Sequence, residues 1–123
     1  MNKNVRVVLL GEAEKAFKEL NEIVGKQIEL GKENTEEMQL LRSIRQKIDF
    51  VKINPFYGDP VAKKLIPSEY KVEHNSVNLF RVELSSFWRM IYTLKGDQVE
   101  IVAFVLDIID HPTYDKKFGY RKK

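Results

Sequence analysis

The sequence contains no cysteine, one tryptophan and two histidines in 123 residues. Without thiols it has no disulfide framework and no thiolate metal site. His74 and His111 lie far apart in sequence and form no zinc-ligand spacing, so no metal and no cofactor are expected. There is no glycine-rich phosphate loop, and Ser85-Ser86 lacks the glycine-flanked elbow of a serine nucleophile. No apolar run approaches the roughly 20 residues needed to span a bilayer, so no membrane partner is expected. Met1-Asn2-Lys3-Asn4 leads directly into a strand-like run, from which no secretory leader and a cytoplasmic location are expected.

What is present fits one soluble domain over residues 1–123, with 43% hydrophobic and 32% charged residues. The net charge of +3 is unevenly placed. From 111 to 123, five basic residues (Lys116, Lys117, Arg121, Lys122, Lys123) face one acid, Asp115, a balance of +4 that leaves −1 for residues 1–110. A basic end of this kind suits phosphate or an acidic partner; a solvated terminus has the same composition.

Val5–Leu10 reads as a buried strand. Ala13, Ala16, Phe17, Leu20, Ile23 and Val24 then follow the helical period, with Gly31 as the stop and Gly25 weakening the last turns. Asn34 or Thr35, with Glu37, marks the start of a second helix. Its buried face is Leu41, Ile44, Ile48 and Val51, and Asn54-Pro55 ends it. The short linker predicts an antiparallel helix hairpin. Residues 55–67 read as an ordered connection, with a turn or short extended piece at Val61–Ile66. Leu79–Leu84, Phe87–Leu94 and Val99–Leu106 read as three strands of an antiparallel meander, its second turn at Lys95-Gly96-Asp97-Gln98. The expected class is α+β: an N-terminal strand, the helix hairpin, then the meander.

If Ser85-Ser86-Phe87 is the first hairpin loop, Leu84 pairs with Trp88, Glu83 with Arg89 and Val82 with Met90. Phe80, Val82, Leu84, Trp88, Met90 and Tyr92 then share an apolar face toward the helices. Arg81, Glu83, Arg89 and Ile91 share the outward face.

This layout resembles the RelE/ParE toxin superfamily. Leu79-Phe80-Arg81-Val82-Glu83-Leu84 followed by Trp88-Arg89-Met90-Ile91-Tyr92 is similar to that family's paired-strand signature. Asp110-His111-Pro112-Thr113-Tyr114-Asp115, with Phe118-Gly119-Tyr120, resembles an archaeal-looking branch of it. The resemblance implies a RelE-like fold and the toxin of a type II toxin–antitoxin pair, with a cognate antitoxin as partner. For nuclease members it further implies the ribosome and mRNA as partners, and metal-independent cleavage by the ribose 2′-hydroxyl. Other members poison a topoisomerase, as ParE does, or act as inactive binding modules.

Residue by residue, Arg89 stands at the family's second-strand arginine, and its fixed fork suits phosphate oxygens. An ion pair with Glu83 is the plainer role. Arg81 occupies the first-strand basic position. Glu83 departs from the pattern, since well-known nuclease members carry a lysine near it; a carboxylate there offers a general base. Lys63 and Lys64 fall where some members contact phosphate. His111 and Tyr114 fall where late acid–base or base-stacking groups occur. Alternatively, His111-Pro112 is a turn and Tyr114, Phe118 and Tyr120 pack the tail on the sheet. Lys116, Lys117 and Arg121 complete the candidate RNA-binding set.

Overall fold

In the computed structural model, which describes residues 3–119, the alternating and helical periods of the sequence become five strands and four α-helices among those residues. The class is α+β. β1 (Asn4–Leu9) leads into α1 (Gly11–Glu29) and α2 (Glu36–Ile53). β2 (Asp59–Pro60), a 3-10 turn at Lys63–Leu65 and α3 (Ser68–His74) make the connection. β3 (Phe80–Glu83), β4 (Arg89–Gly96), β5 (Glu100–Ile109) and α4 (His111–Phe118) complete the fold. The sheet order is β1-β5-β4-β3-β2, with β1 parallel to β5 and every other pair antiparallel.

The expected three-strand meander is therefore the centre of a larger, mixed sheet. β1 extends it at one edge and β2 at the other. β2 is two residues long and carries Pro60, which suits an edge because proline has no N–H to donate to a further strand.

α1 runs through Gly25 and stops where Gly31 takes a left-handed φ of 79°. Lys32 N–H then bonds the Gln27 carbonyl and Gly31 N–H that of Ile28, the paired bonds that satisfy a helix end. Of the two expected caps for α2, Thr35 holds the position: its Oγ1 accepts from Met38 N–H at 3.1 Å. Asn34 sits outside with φ 56° and receives Arg42 on its side-chain oxygen. Glu37 does not close a capping box; it accepts from Gln27 of α1 at 3.0 Å. Together with Arg45 donating to Asn21 at 3.1 Å, this pairs early α2 with late α1 and middle with middle, so the helices run antiparallel.

Beneath them lies one core: Ala13, Leu20 and Val24 of α1, Leu40, Leu41, Ile44 and Val51 of α2, and the β3–β5 residues Phe80, Val82, Met90, Tyr92 and Val105. The first hairpin takes the expected register, with Glu83 opposite Arg89 and Val82 opposite Met90. Tyr92 fastens this face to the connection, its hydroxyl donating to the Pro55 carbonyl and accepting from Gly58 N–H.

The opposite face, expected to look outward, carries a second core. Ile66, Tyr70, Leu79, Ile91, Leu106, Ile109, Tyr114 and Phe118 form it, under α3 and α4, and Ile91 is fully buried. Neither α3 nor α4 is visible in the hydrophobic period, because seven or eight residues with one or two buried positions make no stripe. A bulge directs a polar group into this core. Ile91 pairs with Asp107 but Tyr92 pairs with Val105, so Leu106 is the extra residue and Asp107 follows it onto the same face.

Candidate nucleic-acid site

Arg81 on β3 and Arg89 on β4 are diagonal neighbours on the face away from α1 and α2. Both turn toward Tyr114 of α4. Arg81 Nη1 donates to the Tyr114 hydroxyl at 2.7 Å, and its guanidinium carbon lies 5.9 Å from the ring centre. The Arg89 guanidinium carbon lies 5.3 Å from the same ring, a cation–π arrangement. Arg89 Nη1 also donates to the Phe87 carbonyl at 2.9 Å, and Nη2 stands 3.7 Å from Glu83. Only 12% of the Arg89 side chain is exposed, and its Nε–H is buried without a hydrogen-bond partner among the described residues. Leaving such a donor unsatisfied costs about 1–3 kcal/mol.

The rim of this cluster is open. The Glu83 side chain is 76% exposed and that of His111 50%. His111, in the first turn of α4, is 3.2 Å from Asp115 one turn on, and its ring centre is 6.4 Å from that of Phe87. His111-Pro112 is thus the start of a helix, capped by Asp110, whose carboxylate accepts from Thr113 N–H at 3.0 Å. Hydrogen bonding from the Thr113 side chain, and then from its N–H, holds the Asp110 carboxyl below its ordinary range. Along the β3 edge, Arg81 and Glu83 also line a depression with Lys47, Tyr57 and Asp59.

The five catalytic candidates Arg81, Glu83, Arg89, His111 and Tyr114 thus share one neighbourhood. Tyr114, however, is 1% exposed and offers no ring face to a base; it carries the two arginines instead. The exposed ring here is that of Phe87, at 74%. Phe87 and Ser86 both have left-handed backbones, with φ of 65° and 56°. Nothing in the composition of Ser85-Ser86-Phe87 signals this, since a phenylalanine rarely takes that conformation.

The lysines do not gather at this site. Lys63 and Lys64 are exposed on the 3-10 turn, where Lys63 borders a separate depression with Lys71 and Ser76. Lys116 is exposed on α4. Lys117 is bonded to Glu69 of α3 and lies 3.6 Å from Asp107, ion pairs that tie α4 to α3 and to β5. Arg121 and Tyr120 lie outside the described residues.

Asp107 accepts from the Tyr70 hydroxyl at 2.7 Å. Burial pushes the Asp107 carboxyl up despite the bonds from Tyr70 and Lys117. Burial and the same carboxylate push the Tyr70 phenol up as well. Lys117 is pulled down by burial, but Glu69 and Asp107 outweigh this and leave it raised. The two halves of the Lys117–Asp107 pair thus gain unequally. Glu69 supports the ammonium and repels the buried carboxylate.

Among the described residues, no helix is long and apolar enough to cross a membrane, and no three His, Asp or Glu side chains are grouped to hold a metal ion. No protein-family model, no curated protein and no solved structure matches the chain.

Proposed function

We propose that the chain is a RelE/ParE-type toxin that cleaves mRNA on the ribosome without a metal ion and is held in check by a cognate antitoxin. The observation that supports this most is the convergence of Arg81 and Arg89, from paired strands, on one tyrosine beneath an exposed carboxylate and an exposed imidazole. The element order, with a strand, two antiparallel helices and then antiparallel strands, accords with a RelE-like fold.

In this reading the arginines hold the scissile phosphate and stabilise charge growing on its oxygens. Glu83 removes the proton from the ribose 2′-hydroxyl, and that oxygen attacks the adjacent phosphorus. As the new O2′–P bond forms, the P–O5′ bond breaks, and protonated His111 gives its proton to the departing 5′-oxygen. The products are a 2′,3′-cyclic phosphate and a 5′-hydroxyl. Asp115 orients the imidazole.

A second reading has one observation in its favour: Tyr114 lies over both guanidinium groups. A protein that keeps this cover acts as a ParE-like topoisomerase poison or a binding module.

Mapping mRNA ends in a translating extract separates the two. The nuclease reading expects codon-phased cuts that fall at least about 100-fold in Arg81→Ala and in His111→Ala, each lost group contributing on the order of 10²-fold or more. Intact mRNA beside stalled DNA replication supports the poison, and intact mRNA without toxicity the module.

A further inference from the structure

Among the described residues, three Lys or Arg side chains stand within ion-pair distance of carboxylates: Arg6 of Glu100, Arg89 of Glu83, and Lys117 of Glu69 and Asp107. Arg42 and Arg45 on α2 are held differently. Each is exposed and anchored by a neutral amide oxygen. Arg42 Nη2 donates to Asn34 Oδ1 at 2.9 Å and Arg45 Nη2 to Asn21 Oδ1 at 3.1 Å. Neither has an ion pair among the described residues, although Asp49 lies one helical turn beyond Arg45. An amide anchor fixes the direction of a guanidinium while leaving its charge uncompensated. Both side chains are therefore oriented cations with donors to spare.

They border a cleft whose other walls are Gln39, Ser43, Gln46 and Ser85, with no acid among them. Positions 39, 42, 43 and 46 fall at i, i+3, i+4 and i+7, so one face of α2 supplies the floor. Ser43 Oγ accepts from Ser85 N–H at 3.1 Å and docks the β3–β4 loop against that floor. The same loop ends at Phe87, whose carbonyl holds Arg89. The loop thus joins this cleft to the arginine cluster and carries the exposed Phe87 ring.

We propose that this cleft binds the phosphate backbone of single-stranded RNA and that a base stacks on Phe87, so the strand runs from α2 over the loop to Arg81 and Arg89. The proposal rests on the RNA-directed reading above and adds a second contact region to it. An acidic helix is the competing ligand. A helix-binding groove needs apolar anchors beside its charges, and every side chain lining this cleft is polar. The apolar groove lies instead between α1 and α2, at Leu20, Ile23 and Leu40, where Glu19, Glu36 and Glu37 would repel an acidic partner.

Fluorescence anisotropy of a labelled single-stranded oligoribonucleotide with the full chain, followed as a function of salt, tests this. Arg42→Gln/Arg45→Gln is expected to weaken binding about ten-fold and to flatten the log–log salt dependence by about 1.4, the release expected for two phosphates on a single strand. Phe87→Ala is expected to weaken binding about ten-fold with the salt slope unchanged, because a stacked base releases no counterion. Gln46→Glu, a milder change that adds one negative charge to the cleft, is expected to weaken binding in the same direction. Arg6→Gln, outside the cleft, is expected to leave it unaltered. Equal affinity and slope for wild type and the double variant would overturn the proposal. So would displacement of the RNA by polyglutamate at equal charge concentration, which would make the cleft a seat for acidic protein. Loss of mRNA cleavage with this binding intact would defeat the nuclease reading alone. Cleavage with unaltered binding in the double variant would defeat the cleft alone.

Discussion

Tyr114 has two loads: its hydroxyl receives Arg81, and its ring supports Arg81 and Arg89 from the α4 side. Tyr114→Phe keeps the ring and removes the acceptor. Urea denaturation is expected to show a loss of about 1.5–3 kcal/mol, the range for a hydrogen bond involving a charged group. A loss below about 0.5 kcal/mol would mean that the hydroxyl does not hold Arg81. Asp107 provides a pH test of the second core. Because burial raises its carboxyl, the group favours the folded state most when protonated, and that contribution is lost as pH rises through the raised value. Asn at this position can still accept from Tyr70 and is never ionised. Asp107→Asn is therefore expected to gain stability relative to wild type as pH goes from about 4 to 7; a constant difference would mean that the carboxyl titrates normally. The arginine pair was legible in sequence, since the alternation of Phe80, Val82 and Leu84 with Arg81 and Glu83 fixes which side each takes. The burial of Tyr114 was legible only as one of two alternatives, a ring presented to a base or one packed with Phe118 on the sheet, and the structure takes the packed one. Thr113-Tyr114-Asp115 alone does not choose between them; the i, i+4 spacing of Tyr114 and Phe118, whose rings stack, is the signal for packing.

At the scale of elements, the two N-terminal helices are joined by polar bonds as well as by their apolar stripes. Thr35 both caps α2 and donates to Gln27 at 2.6 Å, so one hydroxyl serves the helix start and the inter-helix seam. Thr35→Ala is expected to cost about 1–2 kcal/mol, the upper part of the range for a lost cap, as measured by thermal or urea unfolding. Thr35→Ser, which keeps the hydroxyl, is expected to recover most of it. The second hairpin turn depends on backbone proximity instead. A Cβ at Gly96 would stand 2.7 Å from the Glu100 carbonyl oxygen, and Asp97 Oδ1 accepts from both Val99 and Glu100 N–H to close the turn. The Gly-Asp pair announced this turn, but its tip lies past Gly96 rather than centred on Gly96-Asp97, because the Asp97 side chain substitutes for backbone bonds there. The bulge at Leu106 had no such marker. Leu106 closes the apolar run Val102–Leu106, where one extra residue changes no local pattern that a period of two can register.

At the scale of the whole molecule, the sheet is a middle layer with a core on each face. That arrangement was latent in the sequence. Val102–Leu106 is apolar at every position, as expected for a strand covered on both sides, whereas one-sided burial would leave alternate positions polar. The two short helices that provide the second cover gave no periodic signal, and so the face bearing Arg81 and Arg89 was expected to be open. Its being roofed by α4 relocates the accessible chemistry to the rim formed by Glu83, Phe87 and His111. Whether phosphate reaches the guanidinium groups from that rim is the central question. Arginine Nε–Hε resonances, followed by NMR while a cleavage-resistant oligoribonucleotide carrying a 2′-deoxy residue is added, answer it directly. The account predicts that the Arg81 and Arg89 signals shift together and saturate while that of Arg6 stays in place. Saturating RNA that leaves both signals unmoved would contradict it.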